Sequence, residues 1–377
     1  MLKISSIDCN NYKNKPQFFA VLQYEQIYNK LTKQRRQCMF DIKVLSKEDT
    51  EKLLKMNDVV NVVENVYRAK SEGKTSVFPL IFHEFEPGVA DMDIKSGWLK
   101  ESGIFGLKLV SWFGENIKKD LPALIGAIMV LDSTTGVPIG ILDGAHITGM
   151  RTGAAGALGA KYLARPDSET LLVVGAGHVS TFQIAASLLL FPELKTVMIY
   201  DPINFDTANN KANTIIDTLN INFGIKVGEK VKFTAVSDIK EAAGRSDIII
   251  TATPSKKPII MKEWVRPGTH FSCIGADMSG KEEIDPEIFR HARIFCDDIP
   301  QCVNVGETEI PLSTGVINKE YIAGEIGDII AGKAAGRENN EQITIFDATG
   351  IALLDLATAK LALDEARKMS AGSTVNL

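Results

Sequence analysis

The clearest chemical signal in this 377-residue chain is a glycine-rich turn within Leu171–Ser180, LLVVGAGHVS. Four apolar residues predict a buried parallel strand, and the glycines then predict a turn into a helix. Gly175 permits the tight turn, and Gly177 lets the backbone approach a pyrophosphate. Ser180 is small enough for close packing of the helix on the strand, and the helix N-terminus faces the phosphates. The pattern favours a bound dinucleotide, and the alternative is a glycine-rich turn without a ligand.

An acidic residue at the end of the next predicted strand strengthens this interpretation. Asp201 follows Thr196–Tyr200 and lies 26 residues after Gly175. A carboxylate at this position accepts hydrogen bonds from the hydroxyls of an adenosine ribose and repels a 2′-phosphate, so the sequence favours NAD over NADP. Lys211 is the nearby cation that would instead accommodate NADP.

Six further residues are predicted to contact the cofactor. The alternative for each of them is a role in packing or in a turn. His178 and Val179 lie in the first turn of the helix, where His178 is expected to be neither acid nor base. The remaining candidates stand at strand ends or on a helix: Thr152, Thr251, Thr253 and Ile274.

Three charged residues outside the turn could act on a substrate. Arg151 has a planar guanidinium that binds a carboxylate through two hydrogen bonds, and a helix-cap salt bridge is its alternative role. Lys108 lies in an apolar strand and needs an anionic partner, unless it is an exposed strand lysine. Asp277 follows a strand at the edge where sites of parallel sheets form, and it suits general acid–base catalysis. Its alternative is an Asx-turn, and Lys281 and Glu283 in the same loop rank below it.

The surrounding elements predict an α/β fold. From residue 170 onward, strands alternate with helices as in a doubly wound parallel sheet. Residues 78–143 contain short strands typical of an antiparallel meander, followed by an Ala- and Gly-rich helix at 149–164. A long helix at 350–368 follows a strand at 343–348, and the last seven residues are expected to fray.

Composition excludes several classes of protein. Apolar residues make up 45% and the formal net charge is −5, so nothing favours a nucleic-acid partner. The apolar runs are too short to span a membrane. Five scattered cysteines and the lack of a secretory signal predict a cytoplasmic protein with reduced thiols. CxxC and HExxH motifs are absent, so no metal site is expected. Residues 1–38 form a polar extension of unassigned role.

Four sequence blocks together resemble the ornithine cyclodeaminase/mu-crystallin family. They are ILDGAHITGMRTGAA at 141–155, the GAGHVS turn, GADMSGKEE at 275–283 and FDATGIALLD at 346–355. The resemblance implies a Rossmann domain for NAD at 151–342. It also implies an α+β domain for substrate binding and dimerisation, with an antiparallel sheet, made of 39–150 with 343–377. It further implies a homodimer.

The same resemblance implies hydride transfer between nicotinamide and the α-carbon of a small amino or imino acid. Asp277 and Lys108 match catalytic residues, and Arg151 and Lys108 match substrate ligands. We expect an NAD-dependent dehydrogenase or imine reductase. The alternatives are ornithine cyclodeaminase, which makes proline and ammonia while recycling NAD, and a non-enzymatic binding protein of mu-crystallin type.

Two departures from the family weaken the case for ornithine. Ile81, in Pro79-Leu-Ile81, occupies the place of an arginine of the ornithine-cyclising members. The segment Asp91-Met-Asp-Ile-Lys95 lacks their Glu-Leu-Met-Pro. Lys95 is a candidate replacement as a carboxylate ligand, and a solvated strand lysine is the alternative.

Overall fold

The computed structural model describes residues 40–228 and 230–377, so the predicted extension at 1–38 lies outside the described residues. Residues 43–373 form one unit, and residues 40–42 and 374–377 belong to another. In the latter, Phe40 and Leu377 exchange two backbone hydrogen bonds of 2.9 and 3.0 Å.

Residues 40–163 contain seven strands and three α-helices. The strands are β1 (Asp41–Leu45), β2 (Thr75–Val77), β3 (Ile81–Glu86), β4 (Ala90–Leu99), β5 (Ile104–Phe113), β6 (Leu124–Asp132) and β7 (Pro138–Asp143). The helices are α1 (Lys47–Leu53), α2 (Met56–Ser71) and α3 (Gly144–Leu163). Strands β4 to β7 pair antiparallel in sequence order, β2 and β3 both pair with β4, and β1 runs parallel to β7.

A parallel sheet follows, with its helices between the strands. Its strands are β8 (Thr170–Val174), β9 (Thr196–Tyr200), β10 (Lys232–Ala235), β11 (Ile248–Thr251), β13 (His270–Cys273), β15 (Ala292–Cys296), β16 (Ile322–Glu325) and β17 (Ile343–Asp347). The helices are α4 (His178–Leu190), α5 (Phe205–Phe223), α6 (Ile239–Arg245), α7 (Ile299–Val305), α8 (Glu309–Ser313), α9 (Ile326–Ile330) and α10 (Ala352–Met369). Strands β12 (Lys256–Ile260) and β14 (Glu282–Ile284) form a small separate pair.

The strand order of the parallel sheet is β10-β9-β8-β11-β13-β17-β15-β16. The order changes direction beside β8, and sites in such sheets form at this switch point, outside the carboxyl ends of the strands. The central strands are continuous apolar runs because both faces of the sheet are covered. All four residues of β11 and all four of β13, for example, are buried.

Helix α3 connects the two sheets. Its glycines allow very close packing: a Cβ at Gly153 would lie 2.4 Å from the carbonyl oxygen of Phe182, and one at Gly159 would lie 2.2 Å from the Phe346 ring. Sixteen of its residues are buried. The predicted Ala- and Gly-rich helix is confirmed, although it begins at Gly144, five residues before the expected start, because Asp143 caps its N-terminus.

The α/β fold class is confirmed, and three details differ from expectation. Strand β17 lies in the parallel sheet between β13 and β15, although the sequence grouped residues 343–377 with the antiparallel strands. The domain division itself stays a prediction. The last seven residues include strand β18 (Ser373–Asn376) instead of fraying, since Leu377 bonds to Phe40. Strands β12, β14 and β16 carried no clear periodic signal because each has only three to five residues.

Within residues 40–228 and 230–377, every helix is too short or too polar to cross a bilayer.

Candidate active site

A buried carboxylate, Asp355, lies at the centre of the candidate site. It belongs to the first turn of α10 and is fully buried. Its Oδ1 accepts hydrogen bonds from Lys108 Nζ at 3.1 Å and from Arg151 Nε at 3.0 Å. The pKa of Asp355 is lowered, because Arg151 and Lys108 outweigh the effect of burial. One anion therefore holds two buried cations together.

Helix α10 reaches these cations because two glycines let it approach the antiparallel sheet. A Cβ at Gly97 on β4 would lie 2.8 Å from Leu353, and one at Gly106 on β5 would lie 2.8 Å from Leu356. The sequence therefore places a carboxylate within a leucine-rich helical face directly over the strand that carries Lys108.

Lys108 is only 3% exposed, so the alternative of an exposed strand lysine is wrong. Burial and the repulsion of Arg151 lower the pKa of Lys108 to about 8, although Asp355 acts in the opposite direction. Thr148 lies 3.4 Å from Nζ. An additional anion beside Lys108 would stabilise its charged form.

Arg151 uses only its Nε for Asp355. Among the described residues, no hydrogen-bond acceptor is assigned to its two terminal nitrogens, which lie beside Gly350. A Cβ at Gly350 would lie 2.4 Å from Nη1, and Gly350 has φ +79°, so a glycine is required there on two grounds. The free edge of the guanidinium is suited to a carboxylate.

Lys95 is 7% exposed, so the alternative of a solvated lysine is also wrong. Its Nζ donates to the carbonyl oxygens of Thr349 at 2.9 Å and Gly350 at 3.0 Å. Asp297 in turn accepts from the Gly350 backbone at 2.7 Å and from the Thr349 hydroxyl at 3.1 Å. The turn before α10 is thus fixed from both sides, and Lys95 stands opposite Lys108 in the β4–β5 register.

Asp277 follows β13 and forms a 2.5 Å ion pair with Lys281. Its side chain is 45% exposed, which leaves the carboxylate accessible. Burial acts to raise the pKa of Asp277, but the charges of Lys281, Lys95 and Arg151 lower it overall. The carboxylate is therefore ionised at neutral pH and can accept a proton.

Glu283 fixes the loop that carries Asp277. Its carboxyl group accepts from the Thr253 backbone at 2.6 Å, from the Thr253 hydroxyl at 2.8 Å and from the Gly275 backbone at 2.8 Å. Glu307 accepts from the backbone of Glu283 at 2.7 Å. Burial raises the pKa of Glu283 to about 6. The ends of β11 and β13 are thus joined beneath the site.

The glycine-rich turn has the geometry expected for a pyrophosphate. Gly175 has φ +101°, and a Cβ there would lie 2.6 Å from the carbonyl oxygen of Ala252. A Cβ at Gly177 would meet nothing within 4 Å, and no side chain caps the N-terminus of α4. The first backbone N–H groups of α4 are thus available to an anion.

Predicted cofactor residues surround this turn. Asp201 accepts from the backbone of Ala176 at 3.1 Å and Asn204 at 3.0 Å, so its carboxylate is fixed at the end of β9. The Thr152 hydroxyl is buried without a partner among the described residues. Lys211 donates to Gly177 O at 2.7 Å and to Thr181, next to the turn.

The other five candidates differ in environment. His178 is exposed, with its ring 4.9 Å from that of Phe182, and Val179 is partly buried. Thr251 and Ile274 are buried at the ends of β11 and β13, while Thr253 is engaged with Glu283. The structure thus brings these strand-end residues together, and their contacts with a cofactor stay a prediction.

A second buried polar group contains possible metal ligands. Ligand atoms of Cys296, Cys302 and Asp347 lie within 4.8 Å of one another. Asp347 already accepts from Thr308 N at 2.9 Å and the Thr308 hydroxyl at 2.5 Å, and burial raises its pKa to about 7. Burial also raises the pKa of both thiols, so they stay protonated at neutral pH, and a protonated thiol is a poor metal ligand.

Sequence reasoning missed Asp355 as a site residue, although it closes one of the quoted blocks. The sequence does contain a signal for Asp355. It is an acidic residue within an apolar helical stretch, and the cations predicted to be buried need an anionic partner. Glu283 was ranked below Asp277, and its role depends on contacts with Thr253 that are distant in sequence.

The parallel sheet is of the kind that binds dinucleotides, and the site combines a cluster of buried cations with an accessible aspartate. Together these features are typical of dinucleotide-dependent enzymes that act on small carboxylates. The profile of the ornithine cyclodeaminase/mu-crystallin family matches residues 41–370. This chain belongs to that family.

Characterised relatives cover nearly the whole chain. It is 37% identical to alanine dehydrogenase of Archaeoglobus fulgidus, over 88% of this chain and 97% of the relative. The structure matches an archaeal alanine dehydrogenase dimer with bound NAD with TM-score 0.81 and 34% identity, over 89% and 99% of the chains. It matches Thermococcus litoralis Δ1-pyrroline-2-carboxylate reductase, in complex with NADH and L-proline, with TM-score 0.82 and 33% identity, over 89% and 100%.

The role of Asp355 predicts a large cost for its neutralisation. The Asp355→Asn variant leaves two buried cations without a counter-charge, and we expect the free energy of unfolding to fall by about 3–5 kcal/mol. Denaturant titration measures this change. Asp364→Asn on the same helix is the matched control, since its ion pairs with Lys360 and Arg367 are solvent-accessible and pairs of this kind each contribute about 0.2–1 kcal/mol. Equal losses in the two variants would contradict the central role of Asp355.

Proposed function

We propose that this protein is an NAD-dependent oxidoreductase that interconverts a small L-amino acid and its imino or keto acid. The observation that carries the proposal is the arrangement of Lys95, Lys108 and Arg151 around Asp355, with the accessible Asp277 beside them. Lys95, Lys108 and Arg151 carry three positive charges, whereas the fully buried Asp355 carries one negative charge. The excess positive charge would favour binding of a substrate carboxylate. The relatives that act on alanine and on a cyclic imino acid support this reaction class.

The substrate carboxylate would bind to the cation cluster. The free edge of Arg151 offers two parallel donors, and Lys108 adds a third beside it. Asp355 fixes the position of both cations before the substrate arrives, so little reorganisation is needed. This binding orients the α-carbon relative to Asp277.

Asp277 would then move protons at the substrate nitrogen. As a carboxylate it takes a proton from the amine, or it activates the water that attacks the imine, and in the reverse direction it returns the proton. Its position on a loop fixed by Glu283 and Lys281 keeps it at the edge of the sheet.

The residues of the glycine-rich turn fit NAD. The N-terminus of α4 and the unpartnered Thr152 hydroxyl would hold the pyrophosphate, and Asp201 would accept the ribose hydroxyls. When bound, NAD supplies the acceptor for the hydride of the α-carbon. Asp201 carries the preference for NAD over NADP, because its negative charge opposes a 2′-phosphate.

Turnover tests the proposal directly. Purified protein is incubated with NAD and L-alanine, L-aspartate, L-ornithine or L-lysine, and NADH absorbance and free ammonia are recorded in parallel. We expect ammonia with stoichiometric NADH from at least one amino acid. The Asp277→Asn variant should lose at least about 100-fold in turnover, because proton transfer contributes about 10²–10⁴-fold, while it still binds NAD.

Two outcomes would contradict this function. Ammonia from ornithine without NADH would establish cyclodeamination instead. Binding of NADH with no turnover of any amino, imino or keto acid would establish a binding protein of the mu-crystallin type.

The pKa of Lys108 predicts how carboxylate binding depends on pH. Since the pKa of Lys108 is about 8, the amine loses its charge as the pH rises through this value, and affinity for pyruvate should fall. Arginine keeps its charge in this range, so Lys108→Arg should remove the loss between pH 8 and 10. Calorimetric titration of the NADH-loaded protein with pyruvate measures both. Affinity that is constant from pH 7 to 9.5 in the unaltered protein would contradict this assignment.

We also propose a homodimer formed through the antiparallel sheet. Its outer face exposes large apolar side chains that a second copy would cover: Ile81, Phe85, Leu109, Phe113 and Ile125. The archaeal alanine dehydrogenase relative is a dimer, which supports this occupant.

Sedimentation equilibrium tests the dimer. We expect twice the chain mass for the unaltered protein and a monomer for the Phe85→Glu/Ile125→Glu variant, because two charges would be buried in an apolar interface. Ile221→Glu is the control, since Ile221 is 77% exposed on α5, outside this face. A monomeric unaltered protein would contradict the proposal.

The proposal includes a cytoplasmic location. Cys273, Cys296 and Cys302 are free buried thiols, as expected in a reducing compartment that also contains NAD.

A further inference from the structure

Lys211 is a partly buried cation next to the glycine-rich turn. It belongs to α5, and its Nζ donates hydrogen bonds to the carbonyl oxygen of Gly177 at 2.7 Å and to the Thr181 hydroxyl at 2.7 Å. These two bonds connect α5 to the first turn of α4. The proposed function gives this lysine no role, although its charge lies beside the predicted pyrophosphate site.

The hydrogen-bond partners of Lys211 are both neutral. Among residues 40–228 and 230–377, no carboxylate oxygen lies within 4.0 Å of its Nζ. Burial lowers the pKa of Lys211 to about 8, and no negative charge of the described residues opposes this effect. A partly buried cation without a counter-charge is costly, so its presence suits a site that an anion completes.

The groups around Lys211 do not supply that anion. The ionisable side chains on α5 and on the elements in contact with it are His178, Tyr200, Asp201, Asp206, Asp217 and Lys232. The three aspartates are the possible counter-charges, and none forms an ion pair with Lys211. Asp201 instead accepts hydrogen bonds from the backbone of its own turn and of the glycine-rich turn.

The position of Lys211 is also unfavourable for α4 itself. Helix α4 begins at His178, and Gly177 is its N-cap. The N-terminus of a helix carries a partial positive charge, so a cation beside it lowers the stability of the helix. Neither a salt bridge nor helix stabilisation therefore explains this lysine. An anion bound at the same terminus would compensate both positive charges.

Lys211 bonds to the peptide unit that joins Gly177 to His178. The carbonyl oxygen of this unit accepts from Lys211 and from the Ser180 hydroxyl, at 2.7 Å each. In a trans peptide the N–H points away from the C=O, so the His178 N–H is directed to the opposite side, where no side chain caps α4. Hydrogen bonds to the carbonyl polarise the peptide and strengthen its N–H as a donor.

We propose that Lys211 strengthens binding of the cofactor's pyrophosphate by supplying positive charge through the Gly177–His178 peptide. Lys211 is thus a positioning residue for the cofactor. The inference rests on the NAD site of the proposed function and is independent of the reaction that takes place there. Contact of Lys211 with the 2′-phosphate of NADP is the competing role.

Cofactor fragments test this role at pH 7.5. ADP contains a pyrophosphate, whereas adenosine contains no phosphate. Lys211→Gln keeps a hydrogen-bond donor but not the charge, so we expect NAD and ADP to bind about 10-fold more weakly and adenosine to bind as before. Lys211→Arg keeps the charge and should bind all three like the unaltered protein. Calorimetry measures NAD binding, and displacement of fluorescent NADH measures binding of the fragments.

Lys195→Gln is the matched control variant. It removes the same charge from an exposed ion pair with Glu169, and Lys195 precedes β9 at the opposite end of the strand from Asp201. Its affinity for NAD and ADP should not change. Equal losses for adenosine and ADP in Lys211→Gln would overturn the proposal, because they would indicate a general distortion of the site. A loss confined to NADP would overturn it in favour of contact with the 2′-phosphate.

Proton uptake gives a second test. A bound pyrophosphate would raise the pKa of Lys211 from about 8, so NAD affinity should be constant below pH 7 and fall as the pH rises through 8. Roughly half a proton should be taken up per NAD at pH 8.5. Burial and the charges of Lys47 and Lys211 lower the pKa of His178, so this ring is neutral at pH 8.5.

Titrations in buffers of different ionisation enthalpy measure this uptake. Lys211→Gln and Lys211→Arg should each remove it, because neither side chain titrates in this range. The comparison with the variants also separates Lys211 from Lys108, whose pKa is about 8 as well. Equal proton uptake in the unaltered protein and Lys211→Gln would contradict the role of Lys211.

These measurements contain no amino acid, so they do not depend on turnover. Absence of turnover with intact NAD binding counts only against the proposed reaction. Unchanged NAD affinity in Lys211→Gln, in a protein that turns over an amino acid, counts only against the role of Lys211.

Discussion

The structure depends on one buried carboxylate that neutralises two cations from different elements. Lys108 comes from the antiparallel sheet and Arg151 from the connecting helix α3, and Asp355 lies on α10. Charged groups at this depth are stable only when they are paired. The pairing therefore fixes the relative positions of a strand and two helices, and it leaves part of each cation available to a ligand. Stability and the proposed binding of a substrate carboxylate thus depend on the same contacts.

Other buried carboxylates fix the segments around Asp355 by hydrogen bonds. Asp297 fixes the turn whose carbonyl oxygens bind Lys95, and Glu283 joins the ends of the strands that precede Asp277. Each of these carboxylates is buried and accepts at least two hydrogen bonds. The accessible groups of the site are therefore presented by rigid surroundings, as acid–base catalysis and hydride transfer require.

Much of this arrangement could be predicted from the sequence. The glycine-rich turn and Asp201 were identifiable because their spacing along the chain is itself the signal, and the carboxyl edge of a parallel sheet placed Asp277. The burial of Lys108 followed from the apolar strand around it. The pairing with Asp355 could not be derived, because it depends on how closely α10 approaches β4 and β5, and that distance is set by Gly97 and Gly106 on other elements. The sheet membership of β17 was missed for a similar reason, since an apolar run of five residues does not reveal its neighbours.

The most direct test of the central claim follows the hydrogen of the α-carbon. The most active L-amino acid, deuterated at this carbon, is incubated with the protein and NAD, and the nicotinamide is analysed by mass spectrometry and proton magnetic resonance. This account predicts one deuterium per NADH, located on the nicotinamide ring, with a single stereochemistry. NADH that carries no deuterium would contradict hydride transfer from the α-carbon, whatever the substrate.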